Sequence, residues 1–146
     1  MNQQAMSKSW RDRNECAKSP NATVSDLEIL SRDDSGIIRS RVAVHPKTPV
    51  FVLERLAGDR GESVLLSVIQ NPNVTPEILK SLSCSPHHWV RINVASNINT
   101  PPDALECMVD DLPRVLYYLL RNPNTPHRAK NYINAKIYVI STPIAA

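Results

Sequence analysis

Asn71-Pro72-Asn73-Val74-Thr75-Pro76 lies at the middle of a 146-residue chain and recurs, with variations, on both sides. The other copies are Ser19-Pro20-Asn21, His45-Pro46-Lys47-Thr48-Pro49, Asn97-Ile98-Asn99-Thr100-Pro101 and Asn122-Pro123-Asn124-Thr125-Pro126. Their anchor positions, 20, 46, 72, 98 and 123, are separated by 26, 26, 26 and 25 residues. A fixed period of this length is the signature of a solenoid, in which a unit buries its apolar face only against its neighbours.

Apolar residues keep step with the motif. Leu27, Leu53, Leu79, Leu105 and Lys130 stand seven residues after their anchors, and Leu30, Leu56, Leu82, Met108 and Ile133 ten after. A spacing of three places each pair on one helix face. Threonine and proline precede them in four copies, as in Thr75-Pro76. That pairing suits a threonine cap with proline in the first turn, where a missing N–H costs nothing. Each repeat therefore contains a helix A of two to three turns. A second stripe precedes the anchors: Cys16-Ala17, Val42-Ala43, Val68-Ile69, Val94-Ala95 and Leu119-Leu120. It belongs to a helix B that stops at the Asn-Pro turn, because the residue before proline avoids helical geometry. Asp33, Asp59, Ser85 and Asp111 read as the N-caps of these B helices.

The string Val90-Arg91-Ile92-Asn93-Val94-Ala95-Ser96-Asn97-Ile98-Asn99-Thr100-Pro101-Pro102-Asp103-Ala104-Leu105 resembles the leucine-rich repeat variant family, whose pattern runs roughly V-R-x-x-V-A-x-N-P-x-T-P-x-x-x-L. The likeness extends in phase over about Trp10 to Lys136. It implies an all-α, right-handed α-solenoid of about five two-helix repeats of 25–26 residues. In that family α-helices alternate with short 3₁₀ helices. The longer period here leaves open whether both helices are α, as in HEAT-like repeats. The four-cysteine N-terminal cluster that accompanies the repeats in one known member is missing, so the resemblance implies no iron–sulfur centre.

Residues 10–136 are thus read as one repeat domain, residues 1–9 as a flexible N-terminal segment and residues 137–146 as an apolar C-terminal tail. There is no run of 18 apolar residues and no signal-peptide-like start, so the chain is expected to be cytoplasmic, with no membrane contact. Cys16, Cys84 and Cys107 form no CxxC pair, which argues against a disulfide framework or a zinc site. The formal net charge is +3, unevenly spread. From Leu112 onward there are five basic residues and no acidic one, leaving 12 basic against 14 acidic elsewhere.

No catalytic constellation, metal-ligand spacing or cofactor motif is present, and the chain reads as a non-enzyme. Arg13, Arg39 and Arg91 form a ladder at repeat spacing. It is open to reading as a phosphate-binding stripe. The same position accepts Leu65 and Leu116, however, so a structural role is read, with the stem on the core and the head on an aspartate or carbonyl. The repeated asparagines are turn chemistry, bonding local backbone groups. His87, His88 and Trp89 form a candidate surface patch, with core packing preferred for Trp89. The function read from the sequence is a non-enzymatic protein-interaction module. The alternative is a nucleic-acid-binding solenoid using Arg114, Arg121, Arg128 and Lys130. Scarce aromatics count against it. A third reading is self-association through the tail.

Overall fold

The computed structural model describes Ser9 to Ser141. The segment 1–9 is therefore outside the described residues except for Ser9, which caps the first helix by accepting from the Asp12 N–H. The tail from residue 137 begins inside the last helix, and residues 142–146 lie outside the described part.

Among the described residues all regular structure is helical. The helices are α1 (Trp10–Lys18), α2 (Val24–Leu30), α3 (Gly36–Val44), α4 (Val50–Leu56), α5 (Glu62–Gln70), α6 (Pro76–Leu82), α7 (His88–Ser96), α8 (Pro102–Glu106), α9 (Pro113–Arg121) and α10 (His127–Ser141). Odd-numbered helices are the nine-residue B helices. Even-numbered ones are the A helices, shorter except for α10. Both kinds are α-helical, which closes the question left by the repeat length.

The chain divides into two compact units, one ending at Ile78 and the other starting at Leu79. In the first, α1 packs on α3 and α3 on α5, with α2 against α1 and α3, and α4 against α3 and α5. In the second, α7 packs on α9 and α9 on α10. The cores are those the period marks out. Leu27, Leu53, Leu79 and Leu105 are fully buried, as are Val42, Val68, Val94 and Leu119. Cys16 and Leu120 are the exceptions, both only half-buried. Cys16 is thus not a full core residue, and none of the three cysteines is in a disulfide among the described residues.

The caps differ from expectation in a consistent way. Asp33, Asp59 and Ser85 are not N-caps; the caps are Ser35, Gly61 and His87, two residues later. The earlier side chain instead accepts the N–H two positions on: Asp33 from Ser35, Asp59 from Gly61 and Ser85 from His87. The fourth of the set, Asp111, lies one residue before the cap Leu112 and accepts that residue's N–H. The threonines also divide. Thr23 builds a capping box with Asp26. Thr75 accepts from the Ile78 N–H, with Pro76 as the first helical residue. Thr48 and Thr100 are buried and turn inward, donating to the carbonyls of Val42 and Val94 at 2.5 and 2.6 Å, while Pro49 and Pro101 take the cap position.

Within each unit the turns are bonded to one another by their side chains. Asn71 donates to the carbonyls of Ala43 and His45 in the preceding turn and accepts from the Asn73 N–H. Asn122 repeats this on Ala95, Asn97 and Asn124. His45 does the same with a ring, Nε2 bonding the Ser19 carbonyl while Nδ1 accepts from the Lys47 N–H. Two positions on, Lys47, Asn73 and Asn124 reach the carbonyls of Pro20, Pro46 and Ile98. The local accepting half matches the sequence reading. The donating half reaches a turn some 26 residues away.

Candidate functional site

The repeat-phased arginines spend their donors on the fold. The Arg13 Nε donates to Asp33 at 2.6 Å. Arg39 is bidentate on Asp59 and Arg91 on Asp111, and each also bonds two carbonyls of the loop before its own helix. The stems lie half-buried, where Leu65 and Leu116 stand in the other copies. Burial pushes the Asp59 carboxyl up, but hydrogen bonds from Arg39 and the backbone N–H of Gly61 outweigh it and hold it below the usual carboxylate range. Asp111 is held low in the same way by Arg91 and the Leu112 N–H.

The four basic candidates of the C-terminal repeat do not form one cluster of similar residues. Arg128 and Lys130 are on α10, and Arg128 is paired with Glu106. Arg114 and Arg121 are on α9 and both are exposed. Each lies on an aromatic ring. The Arg114 guanidinium carbon is 4.5 Å from the centroid of Trp89, and that of Arg121 is 3.6 Å from Tyr117. Tyr117 and Tyr118 meet edge to face at 5.2 Å, and His88 sits beside Trp89 at 5.1 Å.

This surface follows from helix geometry. On α9, Arg114, Tyr117, Tyr118 and Arg121 are spaced i, i+3, i+4, i+7, one continuous face, while Val115, Leu116 and Leu119 bury the other side. On α7, Val90 and Val94 are buried and leave Trp89 on the outside. Trp89 is 39% exposed, so the preference for core packing is corrected: the residue stands at the surface, with the Arg114 head over its ring. Trp10 is 48% exposed. His87 caps α7 and is half-buried, and His88 is exposed. Among the described residues no group of three or more His, Cys, Asp or Glu is placed to hold a metal ion. No described helix is long and apolar enough to cross a membrane.

The sequence reading overlooked Tyr117 and Tyr118. Their signal was available: the equivalent pair is Ser40-Arg41 on α3, Leu66-Ser67 on α5 and Ile92-Asn93 on α7, none of them aromatic, whereas α9 alone puts two rings between two arginines. Compared with known proteins, the chain matches no family model, no curated protein and no solved structure.

Proposed function

We propose that the chain is a right-handed solenoid of five two-helix repeats, of the leucine-rich repeat variant kind, that works as a non-enzymatic protein-interaction module with the α7–α9 face as its contact surface. The observation that carries this reading is the exposed group of Trp89, Tyr117, Arg114 and Arg121. Tryptophan, tyrosine and arginine are the residues that dominate binding energy at protein interfaces. Here each arginine is held against a ring, so little side-chain freedom is left to lose on association.

The test is affinity capture from the native host, with and without nuclease, comparing the wild-type chain with Trp89→Ala/Tyr117→Ala. A protein retained by the wild type after nuclease and lost by the variant is the expected result. Capture that disappears with nuclease would favour the nucleic-acid alternative. Capture unaffected by the substitutions would move the contact surface elsewhere.

A further inference from the structure

We infer that the α7–α9 face binds an acidic segment of a protein partner, with the Arg114 and Arg121 guanidinium groups taking carboxylates and Trp89, Tyr117 and Tyr118 supplying the apolar contact. This rests on the interaction-module reading above and adds the chemistry of the occupant.

The α7–α9 face leaves positive charge without complement. Neither α7 nor α9 contains an aspartate or glutamate. Elsewhere in the same unit four cations are matched, Lys80 with Asp103, Arg91 with Asp111, Arg128 with Glu106 and Lys136 with Asp110, while Lys130 on α10 joins none of these pairs. Arg114 and Arg121 join none of these ion pairs; among the described residues their heads meet the rings of Trp89 and Tyr117 instead. A guanidinium held over a ring does not spend its N–H donors on that contact, and they keep the fork geometry that matches a carboxylate. The ring contacts therefore hold the two heads without satisfying their donors.

The number of such cations selects the partner class. Nucleic-acid affinity grows with the number of phosphates neutralised, and two arginines, even with Lys130 counted beside them, neutralise few. Two bidentate, charge-assisted contacts flanking aromatic surface are a sufficient basis for a peptide site. The two arginines are seven residues apart, about 10 Å along the helix at 1.5 Å per residue. A peptide in polyproline II geometry repeats its face every third residue, about 9 Å, so it can present carboxylates in series along this face.

The probe is a fluorescein-labelled (Glu-Pro-Leu)4 peptide titrated with the full chain by fluorescence anisotropy at low salt, beside (Lys-Pro-Leu)4 and a labelled 12-nucleotide oligouridine. The expected result is binding of the acidic peptide alone, weakened at least 10-fold by Arg114→Glu/Arg121→Glu and unchanged by Arg128→Ala. Circular dichroism checks that the variants keep their helix content. No binding of the acidic peptide, or binding indifferent to the charge reversal, overturns the inference. So does oligouridine binding more tightly and being lost in the same variant. If captured protein is lost on Trp89→Ala/Tyr117→Ala while the acidic peptide fails to bind, the interaction module stands and only the acidic occupant falls.

Discussion

Arg39 holds Asp59 with two parallel hydrogen bonds, Nε to Oδ2 at 2.6 Å and Nη2 to Oδ1 at 3.1 Å, across 20 residues of sequence. Its remaining nitrogen donates to the carbonyls of Asp33 and Asp34. One guanidinium thus joins a B helix, the loop before it and the loop before the next. Arg13–Asp33 and Arg91–Asp111 have the same spacing. In the copy where Leu65 replaces the arginine, Ser85 replaces the aspartate.

Asp59→Ala should leave a half-buried guanidinium without its carboxylate. A fully buried broken pair costs about 3–5 kcal/mol. Partial exposure of Arg39 reduces that, and a loss of about 2 kcal/mol in urea denaturation is expected. Arg39→Leu/Asp59→Ser, which copies the Leu65 and Ser85 solution, should recover most of it and fall within about 1 kcal/mol of the wild type. A double variant no better than the single one would show that the arginine matters for more than its aspartate.

Stability should also depend on pH in a definite direction. Asp59 and Asp111 have folded-state pKa values below the ordinary carboxylate value. Such groups add stability that is fully present above the unfolded-state value of about 4. It is lost as pH falls through the lower folded-state values, because the unfolded chain takes up protons first. Melting temperatures from pH 7 to pH 2 should therefore fall mainly below about pH 4. The fall should be shallower in Arg39→Leu/Asp59→Ser. An equal slope in both chains would remove the pair as its cause.

The bonds between turns predict an unequal pair of substitutions. Asn71 is 1% exposed and serves two carbonyls and one N–H. Asn71→Ala leaves these buried groups unserved and should cost about 2–3 kcal/mol. His45 occupies the matching position of the previous repeat with one donor and one acceptor. His45→Asn installs the side chain that the third repeat already uses, so its cost should stay below about 1 kcal/mol. Chemical denaturation of the two variants side by side tests the contrast.

Leu79 is fully buried and Leu82 is 3% exposed. Leu79→Ala should cost about 2–5 kcal/mol, as for other core leucines, and Leu82→Ala a similar amount. Near-neutral denaturation midpoints at both positions would contradict their place in the core.

What the sequence disclosed depended on whether one residue did one job. The apolar stripes did: Leu27 through Leu105 and Val42 through Leu119 follow the period, and both series are buried as read. The aspartates did two. Asp33 and Asp59 accept from an arginine 20 residues earlier and from an N–H two residues on, so they stand two residues ahead of the caps. A cap preference describes only local chemistry and could not reveal the distant partner. The asparagines hid their longer reach for the same reason. At the candidate surface, counting aromatics over the whole chain concealed that Trp89, Tyr117 and Tyr118 stand on two packed helices of one unit. That grouping depends on how α7 packs against α9, which no local window contains.

The last helix offers a test of the C-terminal end. On α10, Ala129, Ile133 and Ile137 follow one another at i, i+4 and i+8, with exposures of 5%, 0% and 44%. The apolar spacing of the fifth repeat therefore runs on past Lys136 into the tail, but its buried part ends at Ile133 and Ile137 is exposed. Asp110 holds the helix at two points, accepting from the Tyr132 hydroxyl at 3.0 Å and from Lys136 Nζ at 2.8 Å. Truncation after Lys136 removes Ile137 and the end of the helix that carries it. At 44% exposure Ile137 keeps only part of its side chain from water, worth about 1 kcal/mol. The truncated chain should melt at lower temperature while its mass by light scattering matches that of the full chain. A full-length dimer that becomes a soluble monomer on truncation would instead assign the tail to self-association. If neither stability nor mass changes, residues 137–146 add nothing to the folded chain.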